Sequence, residues 1–555
     1  MNADTFERQT PRLGYEVWAA MSGRPTAACL VLGLVAACGY PPLHFWWLSL
    51  PALAAFIALV HQARSWRSAA WLGWLFGWAH LALANNWIAT AFTYQARMPE
   101  ALGWLAVPLL CVYLAVYPAL AALVSWAVAP RSESRPLLGF ASFGLVLAGA
   151  WIVFEWTRSW AFTGYPWPPL GLLLLGQWET PGAAVILPWV GTYALSGLVI
   201  VSALWIAVGA KAGSYWQPLL PFGLVALAMH GLPPAPERQS DIAFTLVQPL
   251  ITQDEINDGS KFEEQFARIA KLTGAGEASP RVVLWPESAI PDYLEDGYPQ
   301  PYYDSMTTLN PVTRRGDPAF ARTRIGSVIG DDSILLTGVV NLDIGVVEGR
   351  RRAVSARNSL IGIDGEGTIT HHYAKAHLVP YGEYLPMRGL LEPLGLSRLV
   401  AGSVDYVSGP GPQTLNLGAF GKVGAQICYE IVFSGRVVDQ DDRPDFLFNP
   451  SNDGWFGSWG PPQHLAQARL RAIEEGLPVL RSTTTGISAV ISANGVVRKH
   501  IATGKAAALE GKIPAAKSPT LFSGLGNALP LGWALLLILV GLCLPRLLAL
   551  VRPRS

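Results

Sequence analysis

The amino-acid sequence predicts two bodies in one chain: a polytopic α-helical membrane domain of about eight transmembrane helices, and an α/β layered domain placed before the last of them. Three observations predict this. The 555 residues are 51% hydrophobic and only 14% charged, with a mean hydropathy of +0.31, outside the range of ordinary soluble domains. Apolar windows of spanning length recur up to residue 235 and once more after residue 520. Charges are crowded between residues 240 and 515 and sparse before them, so the formal net charge of +1 is a whole-chain balance that says little about partners.

A helix needs about 20 mostly apolar residues to cross a hydrocarbon core. Such windows lie near 26–43, 46–62, 68–92, 104–129, 138–157, 190–210 and 215–232, and an eighth, 524–545, precedes the basic tail "RLLALVRPRS". The domain boundaries follow: 1–235 for seven helices, 240–515 for the α/β domain, and 520–555 for the last helix and a cytoplasmic tail. The first window is read as a retained helix and not a cleavable signal peptide, because no small-residue cleavage pattern follows and another apolar window comes at once. Between residues 158 and 190 the apolar sequence is broken by Pro and Gly, so an irregular segment at the outer membrane surface is expected there. Asn85 and Asn86, inside the third window, should face protein or a wet cavity and not lipid.

Cations in short loops set the orientation. With the N-terminus in the cytoplasm, the inner side receives Arg8, Arg12, Arg24, Arg64, Arg67, Arg131, Arg135, Lys211, Arg546, Arg552 and Arg554, against only Arg97 and Arg158 on the other side. Seven crossings then place residues 240–515 outside the cytoplasm. That domain has a different rhythm. Short β-rich runs such as "IAFTLVQ", "RVVLWPE", "SILLTGVV", "SLIGIDG", "VGAQICYE", "DFLFNPS" and "GISAVIS" alternate with turns and with helical stretches such as "FEEQFARIAKL" and "PPQHLAQARLRAIEEG". Several strands are apolar on both faces, which implies sheets covered by helices.

Four of the five cysteines, Cys29, Cys38, Cys111 and Cys543, lie in apolar stretches, where a thiol is a small buried hydrophobe. Cys428, in "GAQICYE", stands apart in the α/β domain with no second cysteine to pair with. A thiol nucleophile needs a base or cation to favour the thiolate and donors to hold the developing oxyanion. Other strand ends supply candidates. "RVVLWPES" leaves Glu287 at the edge of a strand, and "YAKAHLVPYGEYLP" supplies Lys375 after another. Taken singly, these are a solvated carboxylate, a surface amine and a buried thiol. Together they form an acid, an amine and a thiol at three strand ends of one domain.

That order resembles the nitrilase superfamily, whose Glu, Lys and Cys triad sits on an αββα sandwich. Within it, "WPESAIP", "YAKAHLVPYGEYLP", "ICYE" and "NPSNDGWFGSWGPPQHLAQARLRAIEEGLPVLRSTTTGISAVISANG" are similar to the signatures of the apolipoprotein N-acyltransferases, as is the arrangement of seven apolar spans, a nitrilase-like domain and one last span. The resemblance implies Glu287 as general base, Cys428 as nucleophile and Lys375 as the cation at the oxyanion. It implies Glu383 as a supporting carboxylate, Tyr429 and Glu430 as residues shaping the pocket, and Trp455 on a mobile loop or as a packing aromatic. Family members often carry a tryptophan shortly after the first strand of this domain; "LVQPLITQDEINDGSKF" has none, so that stretch receives no role. The implied reaction moves the sn-1 acyl chain of a phospholipid, typically phosphatidylethanolamine, through a Cys thioester to the amine of a diacylglyceryl-cysteine apolipoprotein. The implied setting is the bacterial inner membrane, multi-pass, with the catalytic domain in the periplasm and the chain acting as a monomer.

No phosphate-binding loop or dinucleotide fingerprint appears, so no cofactor is expected, and no basic aromatic face points to nucleic acid. His371, His372 and His377 lack an accompanying set with metal-ligand spacing, so no metal is expected either. Two other classes fit less well. A transporter lacks an evident internal repeat and has few intramembrane ionisable groups beyond His80 and Glu155. A membrane-tethered nitrilase-like amidase or hydrolase would share Glu287, Lys375 and Cys428 but would have no need of seven preceding spans.

Overall fold

The run Val282–Leu284 is apolar at every position, so a strand made of it has to be covered on both sides. Val282 and Leu284 face one hydrophobic core and Val283 and Trp285 another, and this alternation sets the layers of the α/β unit. The structure, a computed structural model, describes residues 12–94, 101–130 and 134–550, apart from 215, 218, 232–236, 275–279, 392 and 394–403. It divides into a unit of helices before residue 234 and after Gly524, and a second unit, Pro234–Gly524 with the short stretch beginning at Thr90.

In chain order the strands of the second unit are β1 (Gln239–Gln248), β2 (Val282–Leu284), β3 (Ile334–Val347), β4 (Arg350–Asp364), β5 (Ile369–Ala374), β6 (Thr414–Asn416), β7 (Lys422–Ala425), β8 (Phe446–Ser451), β9 (Val479–Thr483), β10 (Ser488–Ile491), β11 (Val497–Ile501) and β12 (Ala507–Pro514). They form two six-stranded sheets, ordered β12-β1-β2-β3-β4-β5 and β11-β10-β9-β8-β7-β6. The middle of each is parallel, β1-β2-β3 in one and β7-β8-β9 in the other. Phe244, Leu246, Leu336 and Leu360 from the first sheet meet Val423, Phe446, Phe448 and Leu480 from the second in a shared core. On the outer face of the first sheet, Ile269 and Thr273 of helix Phe262–Gly274 and Ala321, Ile325 and Ile329 of helix Pro318–Ile329 are buried. Helix Gly460–Glu475 packs on β9 and β10 of the second sheet. The layers therefore run helix, sheet, sheet, helix, the αββα sandwich expected from the resemblance.

In the helical unit, four helices among the described residues are long and apolar enough to cross a membrane by length and composition: Gly103–Val128, Pro136–Arg158, Ala183–Lys211 and Ala528–Pro545. Eight windows were expected, and the other four come out differently. Pro41 and Pro42 cannot continue a helix, so the first window yields a helix of 13 residues, Pro25–Ala37, which meets Glu16–Gly23 at 113°. Trp46–His61 has 16 residues, a rise of about 24 Å against a core of about 30 Å, and Leu219–Gly231 has only 13. Trp66–Ala84 has 19 residues, but Arg67 and His80 lower its hydropathy below that of a spanning window. The Pro/Gly-broken stretch forms short 3-10 turns, Leu170–Leu174 and Ala183–Ile186. Side chains satisfy the backbone groups it frees: Leu170 N donates to Glu155 Oε1 at 2.8 Å, Gly171 N donates to Ser196 Oγ at 2.7 Å, and Arg158 donates to the Pro168 carbonyl at 2.8 Å. Asn85 faces protein, accepting from the Tyr165 hydroxyl at 2.7 Å.

Glu475, at the C-terminal end of helix Gly460–Glu475, is fully buried, and neither carboxylate oxygen has a hydrogen-bond partner among the described residues. Burial first, and the neighbouring Glu474 second, push its pKa from an ordinary 4.5 up to about 7. Below pH 4.5 the carboxyl is neutral in folded and unfolded chains alike; as pH rises to about 7 the unfolded chain ionises first, and stability is lost. Glu475→Gln removes this slope. In detergent, its melting temperature relative to wild type is expected to rise between pH 5 and pH 8, with a free-energy difference on the order of 3 kcal/mol across that window. Parallel melting profiles for the two proteins would show that the carboxylate is not the source of the slope.

Candidate active site

Parallel strands leave functional groups at their C-terminal ends, where loops open above the sheet. β2 runs on through Trp285 and Pro286 to Glu287, β7 leads to Cys428, and Asn452 follows β8 directly; Lys375 follows β5. Glu287 reaches its place because Gly338 on the neighbouring β3 carries no side chain: a Cβ there would stand 2.7 Å from the Glu287 Cα. All three predicted groups are interior. Lys375 is 1% exposed, Cys428 5% and Glu287 7%.

An ammonium this deep has to be paired. Lys375 Nζ lies 3.0 Å from Glu383 Oε1 and 3.8 Å from Glu287 Oε1. Burial favours the neutral amine, but Glu383, Glu287 and Cys428 together outweigh it and hold the lysine pKa above its ordinary value. Asn358, on β4, joins the two carboxylates, its amide donating to Glu287 Oε1 and to Glu383 Oε1, each at 2.7 Å. Glu287 Oε2 accepts from Asn452 N at 2.8 Å, and Glu383 Oε2 from Val379 N at 2.7 Å. Both carboxylates are thus held at both oxygens.

Glu430 sits in a 3-10 turn, Cys428–Val432, and braces the loop that carries Cys428. Its carboxylate accepts from Ile427 N at 2.8 Å, Ala376 N at 2.7 Å, His377 N at 3.2 Å and the Tyr373 hydroxyl at 2.8 Å. It therefore ties the segment after Lys375 to the segment before Cys428. Burial raises its pKa to about 7, against the pull of Lys375 and these donors. Tyr429 is buried with its ring edge-on to Phe433 at 5.1 Å. Trp455, in the 3-10 turn Asp453–Trp455, is half-buried and meets the Tyr94 ring edge-on at 5.8 Å.

The Cys428 backbone has φ of +50°, a left-handed conformation that costs a non-glycine residue about 1–2 kcal/mol. Burial, and next the Glu287 carboxylate, push its thiol pKa well above the ordinary value, with Lys375 pulling the other way. The resting sulfur is therefore a thiol, and a proton acceptor is needed when it attacks. Behind it lies a second buried network. His464 Nε2 is 3.0 Å from the Cys428 carbonyl, Asp453 Oδ1 is 3.1 Å from His464 Nδ1, and Arg481 Nη2 donates to both Asp453 oxygens at 2.7 Å. Burial and then Arg481 lower the His464 pKa; Arg481 also overcomes the burial of Asp453 and keeps it ionised.

Asn358, Asn452, Asp453, His464 and Arg481 had no individual role in the sequence reading. Asn452 and Asp453 lie inside "NPSNDGWFG", His464 and Arg481 lie in the rest of the long signature that it opens, and Asn358 was detectable only as a polar interruption in the strand-like "ARNSLIGIDG". The three histidines considered for a metal diverge: His371 faces the Asn416 carbonyl at 2.9 Å, His372 pairs with Glu295 at 3.2 Å, and His377 stacks on Phe433 at 4.3 Å.

An αββα sandwich with a carboxylate, an ammonium and a thiol at its strand ends belongs to the nitrilase superfamily. Residues 251–513 match the family model described as carbon-nitrogen hydrolase, and residues 32–205 the one described as apolipoprotein N-acyltransferase N-terminal domain. The apolipoprotein N-acyltransferase of Rhodopseudomonas palustris is 29% identical over 547 residues, covering 93% of this chain and 94% of that one. That of Allorhizobium ampelinum is 30% identical over 506 residues, covering 88% and 89%. A crystal structure of an amidase from Nesterenkonia sp. aligns with a TM-score of 0.32 at 15% identity, over 50% of this chain and 92% of that one. The chain belongs to the apolipoprotein N-acyltransferase family, and it is an acyltransferase.

Asn358 donates to Glu287 and to Glu383 together, and its loss removes the donor they share. Asn358→Ala is expected to slow acyl transfer about 10–100-fold through misplacement of Glu287. Initial rates in mixed micelles, set beside thermal melting, check this; an unchanged rate in a folded variant contradicts the bridging role.

Proposed function

We propose that the enzyme carries the sn-1 acyl chain of a phospholipid, phosphatidylethanolamine in the typical case, to the N-terminal amine of a diacylglyceryl-cysteine apolipoprotein. The convergence of Glu287, Lys375 and Cys428 in one buried cluster supports this reading most strongly. Glu287 takes the Cys428 proton as sulfur bonds to the ester carbonyl carbon, and Lys375 faces the oxyanion that forms. Collapse breaks the carbon–oxygen bond, and the lysophospholipid leaves with the proton from Glu287. The acceptor amine then attacks the thioester and yields a proton to Glu287. The carbon–sulfur bond breaks, and the thiol is restored by that proton.

Such a ping-pong route needs lipid access and exclusion of water from the thioester. The apolar helices support a membrane location. Adding the bent pair Glu16–Gly23 with Pro25–Ala37 and the shorter apolar helices Trp46–His61 and Leu219–His230 to the four long ones gives seven spans, Trp66–Ala84 is taken as the eighth, and the cation distribution among their loops favours a periplasmic catalytic domain of a bacterial inner membrane protein. On this reading the domains run 1–235, 240–515 and 520–555, the chain works as a monomer, and Trp455 belongs to a mobile loop beside the site. A membrane-tethered hydrolase is the less favoured reading, because relatives along nearly the whole chain carry the transferase name.

Incubation with phospholipid alone is expected to add the mass of one acyl chain to the intact protein, and an acceptor peptide bearing diacylglyceryl-cysteine should discharge it. Cys428→Ala should gain no mass. An active wild-type enzyme that never carries the acyl mass contradicts the covalent route, and rapid discharge by water without acceptor favours the hydrolase.

A further inference from the structure

The reaction above uses the Cys428 side chain and leaves unexplained what holds its backbone. The cysteine sits at φ of +50°, and its carbonyl meets two side-chain donors, His464 Nε2 at 3.0 Å and Asn449 Nδ2 at 3.3 Å. A backbone in this sparsely populated region persists where its surroundings over-determine it. Both donors trace back to one guanidinium. Arg481, fully buried on β9, donates to the Asn449 side-chain oxygen, to Ser451 Oγ at 3.0 Å, to both oxygens of Asp453 at 2.7 Å, and lies 2.9 Å from His464 Nδ1.

The tautomer of His464 follows from this geometry. The Cys428 carbonyl can only accept, so the ring proton belongs on the Nε2 that points at it; Nδ1 is then the accepting nitrogen toward Arg481 at 2.9 Å, with Asp453 Oδ1, itself held by Arg481, beside it at 3.1 Å. Asp453 balances the guanidinium charge and leaves the imidazole neutral. The side chain of Asn449 is oriented in the same way, its oxygen toward Arg481 and its amine toward Cys428.

We propose that His464 is a positioning residue for acyl transfer: its Nε2–H, set by Arg481, pins the Cys428 carbonyl and so aims the sulfur between Glu287 and Lys375. The proposal rests on the reading of Cys428 as nucleophile. It predicts a defect in the acylation step and not in lipid binding, because His464 acts through the peptide behind the sulfur.

The test is single-turnover acylation of the full-length enzyme in detergent, followed by intact mass over a range of phosphatidylethanolamine concentrations. His464→Ala should acylate about 10–100-fold more slowly, with the half-saturating lipid concentration within about twofold of wild type. His464→Gln, whose Nε2 reaches the position of the ring Nε2, should recover to within about fivefold of wild type, while His464→Asn, which puts no donor there, should stay slow. A wild-type rate in His464→Ala overturns the proposal, and so do Gln and Asn variants that are equally slow per folded enzyme. Should His464→Ala fail to accumulate, the Gln and Asn pair decides alone. Cys428→Ala run in parallel separates the two readings. If it still takes up the acyl chain, the nucleophile reading fails and the positioning role with it; if it does not, failure in the His464 variants counts against the positioning role alone.

Discussion

The pairing of one buried ammonium organises the active-site end of the sandwich. Lys375 has almost no contact with solvent, and stripping a charge of its partner in such a place costs about 3–5 kcal/mol. Its two carboxylates come from different parts of the chain, Glu287 beyond β2 and Glu383 from the loop after β5. Asn358 on β4 holds them at one spacing. The ion pair therefore fixes strand ends and loop together, and the site takes shape as the sheet does.

The thiol is set against this fixed charge. A shallow cysteine beside a cation would ionise and react with whatever arrived; this one is buried next to a carboxylate, which favours the protonated form. On the proposed route, reactivity waits for an ester carbonyl to arrive and for Glu287 to accept the proton. Glu430 contributes by tying the backbone on either side: a single carboxylate collects donors from the segments that carry both Lys375 and Cys428.

Much of this was legible from local pattern. Runs such as "RVVLWPE" and "DFLFNPS" are apolar at successive positions, which requires covered sheets, and strand ends expose the acid, amine and thiol by type. What the pattern hid was long-range. Asn358 reads as one polar residue in a strand, and its bridging place depends on β4 lying beside β3 while β2 delivers its glutamate above them. Helix Gly460–Glu475 misleads in another way: Gln463, Arg469, Arg471, Glu474 and Glu475 look like a solvated face, yet all are buried. Glu474 finds Arg471 one turn away and the Ser434 hydroxyl from another segment, and nothing in the local window shows that this helix is covered. In the helical unit, windows of hydropathy ran past prolines that end the helices, so counting windows overstated the number of long helices.

The second carboxylate on Lys375 has a dynamic meaning. On the proposed route each half of the cycle neutralises Glu287 for a moment, and a lysine with that counter-ion alone would be abandoned in a dry interior as the proposed oxyanion forms. Glu383 exchanges no proton in the chemistry and lies closer, at 3.0 Å. It serves as ballast: the ammonium keeps its anchorage while the working acid changes charge, and the catalytic frame stays level through both strokes of the reaction.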